Sequence, residues 1–234
     1  MKRETMTSAS GIARLAGGLD LAMMPFGFFG IVYVPMALVV PGDAPATAEN
    51  ITTSELLFRS GVVSHLIAQI IFIFLVLTLF RLLERVNKRH AVLMVVLALV
   101  GIPMAALSDV NHLAVLEVLG GAGEDAFTRM MLFLEMREQG ILVTQIFWGL
   151  WLMPLGLLVF ESGFLPKLLG ILLAIAGAGY AIDSATQLLF PDVTTISQFT
   201  FVGEVLFTLW LLIKGVNVKR WQEATVRKEG NYPT

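Results

Sequence analysis

The residues of this chain that could do chemistry are few, and they sit inside apolar runs. Asp109 and His112 stand three apart, Glu135 and Glu138 likewise, and His65 and Gln69 four apart. On a helix those spacings place each pair on one face. Asp183 shares a face with Gln187 in the same way, and Glu204 with Thr200 and Thr208. Each set lies roughly 7 to 14 residues from the outer end of its helix, so at about 1.5 Å rise per residue the sets share one layer. His65, Gln69, Asp109, His112, Glu138, Asp183 and Glu204 are therefore expected to line an outward-facing polar cup, with Tyr180 as an aromatic wall carrying a polar tip.

Three kinds of chemistry fit that layer. The carboxylates could pair with Arg59, Arg129 and Arg137 as a hydrated salt-bridge rim, since ion-pair networks that only stabilise a fold also gather charge. They could instead line a vestibule for a small ligand or relay protons, the usual meaning of ionisable side chains inside a membrane bundle. Asp109, Glu117, Glu135, Glu138, Asp183 and Glu204 outnumber the three arginines, which favours a cation or amine over an anion. The third reading is a metal site. Asp109-x-x-His112 has the spacing used in carboxylate-histidine bundles, and Glu135, Glu138, His65 and Glu204 would complete a hard, mixed ligand set suited to zinc, iron or manganese. Such two-residue motifs arise often by chance, so no residue is assigned as a metal ligand or a catalyst, and no cofactor is specified. Asp20 stands apart in the inner half of the first apolar run, where Arg14 or Lys214 could pair with it or it could serve an alternating-access path.

The elements that must position these residues follow from composition. Of 234 residues, 56% are hydrophobic and 15% charged, against about a quarter charged in soluble domains. The expected fold is all-α: a polytopic membrane bundle of six transmembrane helices. The run from Ile141 to Phe160 is about long enough to cross a bilayer, and a six-residue turn with Gly163 and Pro166 reverses it into the run that starts at Lys167. The first span covers about 13–40, with Pro25 and Pro35 predicting a kink. Residues 41–50 read as a turn-rich loop, with Thr52 or Thr53 capping the second span, which runs to Leu83. The third span covers about 91–119. The fourth starts near Asp125 and projects beyond the bilayer, because its first turns are amphipathic. Pro191 and Asp192 turn the chain between spans five and six, and the sixth span covers about 196–216. Residues 1–12 and 217–234 are cytoplasmic flanks, the latter basic. Gly170, Ala174 and Ala178 recur at four-residue spacing, a pattern that lets helices approach closely.

Charge sets the orientation. Of the 16 lysines and arginines, only Arg59, Arg129 and Arg137 fall on the outer side of a six-span scheme and the other 13 on the inner side, so both termini are expected inside. Arg81, Arg85, Lys88 and Arg89 mark an inner loop that anionic lipid headgroups suit. A net charge of -2 gives no reason to expect nucleic acid, and the absence of cysteine excludes disulfides and thiolate chemistry. The expected partners are the lipid bilayer and a small-molecule ligand; the oligomeric state is left open.

Several motifs together resemble a family of bacterial membrane proteins. Pro41-Gly42-Asp43, Glu55-Leu56-Leu57-Phe58-Arg59, the FWGLWLMPLG run at 147–156, Ser162-Gly163-Phe164-Leu165-Pro166, and Gly179-Tyr180 with Ile182-Asp183-Ser184 are similar to the domain-of-unknown-function family DUF4386 over nearly the whole chain. The resemblance implies a six-helix protein of the bacterial cytoplasmic membrane and brings no activity with it. The function expected from the residues is binding or transport of a small cationic or amphipathic molecule through the cup. A metal-dependent membrane enzyme, hydrolase or oxidase, and a structural or accessory membrane protein are the alternatives.

Overall fold

Long apolar stretches broken by glycine, proline and short charged turns can satisfy their backbone groups inside a membrane only as helices. The computed structural model, which describes residues 2–121, 123, 125–190, 196 and 200–229, has helices and no strand among the described residues. In chain order these are α1 (Lys2–Phe28), a π-turn (Phe29–Tyr33), α2 (Val34–Leu38), α3 (Ala44–Thr53), α4 (Glu55–Leu83), α5 (Lys88–Gly120), α6 (Ala126–Leu150), α7 (Leu152–Ser162), α8 (Lys167–Leu189), α9 (Val202–Ile213) and α10 (Val218–Glu229). Among the described residues five stretches are long and apolar enough to cross a membrane: Ala9–Leu38, Glu55–Leu83, Lys88–Gly120, Ala126–Ser162 and Lys167–Leu189. The helix α9 is apolar but shorter. Ala126–Ser162 has 37 residues, about 55 Å of helix, well beyond a hydrocarbon core of about 30 Å, as its amphipathic first turns lead one to expect.

The described chain forms two compact units. One comprises residues 1–21, 72–101 and 145–234, the other residues 22–71 and 102–144, and the division falls within α1, α4, α5 and α6. In the first unit, α7 and α8 form the hairpin expected from the sequence. Gly163, at φ +69°, ends α7 in the left-handed region, and Pro166 opens α8. The turn is only 163–166, shorter than expected, because Ser162 caps it: its hydroxyl donates to the Val159 carbonyl and accepts from the Leu165 N–H. Small residues then bring the backbones together. A Cβ on Gly156 would lie 2.6 Å from the Gly170 carbonyl oxygen, and one on Gly177 2.5 Å from that of Gly149. In the second unit Val34, Ile51, Phe58, Val115, Met130 and Leu134 form the apolar core.

Two local expectations are corrected. Residues 44–53 are the helix α3 and not an irregular loop, because Asp43 caps it, accepting from the Ala46 N–H at 2.9 Å, and Pro45 sits in its first turn. Thr52 and Thr53 accordingly bond back to carbonyls of α3 and do not cap α4. Polar residues 2–12 continue α1, and residues 218–229 form α10, whose Asn217 side chain accepts from the Arg220 N–H. The expected turn at Pro191 and Asp192 lies outside the described residues.

Candidate functional site

The predicted site residues divide between the two units. In the second unit the organising feature is the π-turn. Val34 donates its N–H to the Phe29 carbonyl, one residue further back than in an α-helix, and Pro35 has no N–H. The Gly30 carbonyl thereby loses both its α- and its π-helical donor. The Arg137 guanidinium takes that place, its Nη2 donating to Gly30 O at 3.0 Å. Gly30 itself must lack a side chain, since a Cβ there would stand 2.5 Å from the Gly61 carbonyl oxygen and 2.9 Å from His65 Cβ.

From Arg137 a polar chain runs across α6, α5 and α4. Arg137 Nε lies 3.7 Å from Asp109 Oδ1, an ion pair too long for a hydrogen bond. Asp109 Oδ2 is 2.7 Å from His65 Nδ1, and His65 Nε2 is 3.0 Å from Gln69 Nε2. With the amide so oriented, Gln69 donates to Nε2 and His65 donates its Nδ1–H to the carboxylate. All four side chains are buried, His65 completely. His112 is buried as well, its ring tilted against Phe58 at 4.2 Å between centroids. Among the described residues Gln69 Oε1, Asp109 Oδ1, Arg137 Nε and His112 Nδ1 have no hydrogen-bond partner. Glu138 and Glu135 are exposed, and Glu138 acts on Arg137 only as a neighbouring charge.

The first unit holds a different arrangement. The Thr208 hydroxyl hydrogen-bonds to Asp20 Oδ2 and also donates to the Glu204 carbonyl at 2.9 Å. Tyr180 hydrogen-bonds to the Glu204 side chain, whose Oε1 is buried with no hydrogen-bond partner among the described residues. Among the described residues no lysine or arginine figures among the groups acting on either carboxylate. Asp20 therefore meets Thr208, and the expected pairing with Arg14 or Lys214 is not formed. Both oxygens of Asp183 accept the Ile196 N–H at 2.9 Å.

The sequence placed His65, Gln69, Asp109 and His112 on converging helix faces, and they do converge. It missed Arg137 as the centre of that network, although Gly30 five residues before Pro35 is the local sign that a carbonyl will be orphaned. It also missed the Asp20–Thr208 contact, which joins positions 188 apart and leaves no local trace. Among the described residues no three histidine, aspartate or glutamate side chains gather as a metal-binding group.

Comparison with known proteins agrees with the motifs. The family described as "Domain of unknown function (DUF4386)" matches residues 15–215. The chain belongs to the DUF4386 family. The matched region takes in every residue of both polar networks, from Asp20 to Thr208. This DUF4386 protein is also 50% identical over 70 residues to a protein of Archaeoglobus fulgidus described as "Uncharacterized protein"; the match spans 30% of the present chain and 43% of that relative. No solved structure matches the chain.

Proposed function

We propose that this DUF4386 protein binds, and carries across the bacterial cytoplasmic membrane, a small cationic or amphipathic molecule, in a six-span arrangement with both termini inside. One observation carries the reading. Asp20 and Glu204 lie on two apolar helices of one unit, near enough for the Asp20 charge to act on Glu204; Thr208 bonds the Asp20 carboxylate and only the main-chain carbonyl of Glu204, and among the described residues no basic residue acts on either carboxyl group. A carboxylate in a low-dielectric bundle requires a counter-charge, because its desolvation costs several kcal/mol. The Thr208 hydroxyl has one proton, shared between Asp20 and the Glu204 main-chain carbonyl, and gives nothing to the Glu204 carboxyl group. The pair is thus short of positive charge, and a cation or a proton supplies it. Glu204 Oε1 is the acceptor left over for such a group among the described residues, and the Tyr180 hydroxyl, hydrogen-bonded to the same side chain, holds the carboxyl group in place.

The second unit supports a different role for its own cluster. Asp109 already faces Arg137 and His65, so its charge is balanced within the protein, the arrangement expected of a structural ion pair. A metal-dependent enzyme has less support: Glu135 and Glu138 are exposed, and Asp109 is already hydrogen-bonded to His65.

The test is thermal unfolding of purified protein with sodium, potassium, ammonium, guanidinium and choline salts at constant ionic strength, for the parent, Asp20→Asn and Glu204→Gln. The parent is expected to be stabilised saturably by at least one cation, and the variants to lose that response while folding as well as the parent. Equal responses in all three proteins would remove the proposal and leave the structural reading.

A further inference from the structure

A cavity of about 330 Å³ lies in the first unit, between the turn at 163–166 and the end of α9, and it has no part in the networks described above. Its walls follow from two backbone events. Gly215, at φ +64°, ends α9 with its N–H on the Trp210 carbonyl, and the Asn217 N–H then donates to the Phe164 carbonyl, fastening one turn to the other. Arg220 is held at the rim by a hydrogen bond from its Nη1 to the Gly163 carbonyl at 3.1 Å. Lys214 and Arg220 both line the cavity, and no acidic residue does.

Beside these two cations the surface changes character within one helical turn. Ile213 is 67% exposed, Leu209 41% and Trp210 37%. An indole at the edge of an apolar band is the mark of the membrane–water interface. The site therefore offers a positively charged pocket at headgroup level and an apolar wall running away from it. Arg220 presents a planar fork whose remaining donors match phosphate oxygens, and Lys214 adds a mobile point charge.

We infer that the cavity bounded by Gly163, Trp210, Lys214, Asn217 and Arg220 binds the phosphate of an anionic phospholipid, with the acyl chains lying along Trp210 and Ile213. The phosphate is the recognised group, and a soluble phosphate ester shares that chemistry; the apolar wall selects the lipid. Basic pockets of this kind at membrane-protein surfaces favour anionic headgroups.

The test is native mass spectrometry of the detergent-purified full chain, titrated with phosphatidylglycerol, phosphatidylcholine or glycerol 3-phosphate. The proteins compared are the parent, Lys214→Ala/Arg220→Ala, and Arg59→Ala/Arg129→Ala, which removes the same charge elsewhere. The parent is expected to retain phosphatidylglycerol about tenfold better than phosphatidylcholine. The Lys214/Arg220 variant is expected to lose that preference and the Arg59/Arg129 variant to keep it. Lys214→Arg/Arg220→Lys, which preserves charge, should keep most of the preference and so separates recognition from folding. Glycerol 3-phosphate binding as tightly as the lipid would overturn the lipid assignment. Absence of headgroup preference in the parent, or equal loss in both alanine variants, would overturn the site itself.

Discussion

At the scale of single residues, two buried polar sets illustrate opposite solutions to charge inside an apolar bundle. Asp109 is compensated by Arg137 and hydrogen-bonded by His65, whereas among the described residues Asp20 meets the Thr208 hydroxyl and Glu204 the Tyr180 hydroxyl, neither of them a charge. Breaking a buried pair leaves an uncompensated charge. Arg137→Met is therefore expected to destabilise the protein by about 3–5 kcal/mol, read by denaturant titration in detergent. Adding Asp109→Asn should restore part of that loss, because the orphaned charge goes with it. A loss below about 1 kcal/mol for Arg137→Met would mean that the ion pair does not hold the unit together. Which residues were polar and which faces they shared could be read from spacing alone. Which partner each would take could not, because His65 and Asp109 are 44 positions apart and nothing local distinguishes Arg137 from Arg59 or Arg129 as the one that becomes buried.

At the scale of elements, glycine and proline decide how helices meet and where they break. The α7–α8 hairpin was legible in the sequence because the apolar run from Ile141 to Phe160 ends in a turn punctuated by Gly163 and Pro166, and because Gly170, Ala174 and Ala178 recur at four-residue spacing; that Gly156 meets Gly170 appears only in the structure. Gly156→Leu would force a side chain onto the Gly170 carbonyl and the Ala174 backbone. We expect it to abolish folded yield in size-exclusion chromatography. Gly18→Leu, which meets nothing within 4 Å, should leave the yield unchanged. The helix α3 escaped the sequence reading because Gly, Pro and Asp at 41–45 signal a turn, and a turn made of the same residues is also a helix cap. Pro35 poses a subtler case. Its missing N–H frees the Gly30 carbonyl for Arg137, so Pro35→Ala should let the helix reclaim that carbonyl and weaken the hold on Arg137. The check is a double-mutant cycle with Arg137→Met, in which the two effects should be clearly non-additive. Simple additivity would show that the π-turn and the arginine are independent.

At the scale of the whole molecule, apolar run lengths were enough to read a multi-pass membrane protein. Five of the six expected spans are long and apolar enough to cross, and α9, at 12 residues, is the remaining candidate. The absence of cysteine makes the topology directly measurable. Single cysteines at Ala46 and Gly121 should react with an impermeant maleimide in intact cells, and those at Asn87 and Lys219 only after lysis; any other pattern would refute six spans with both termini inside. The functional claim is tested most directly by the binding isotherm of the most stabilising cation to protein in nanodiscs, compared among the parent, Glu204→Gln and Asp109→Asn. The account expects one saturable site in the parent, at least about a tenfold weaker site in Glu204→Gln, and an unchanged site in Asp109→Asn. Undiminished binding in Glu204→Gln, or a loss confined to Asp109→Asn, would contradict it.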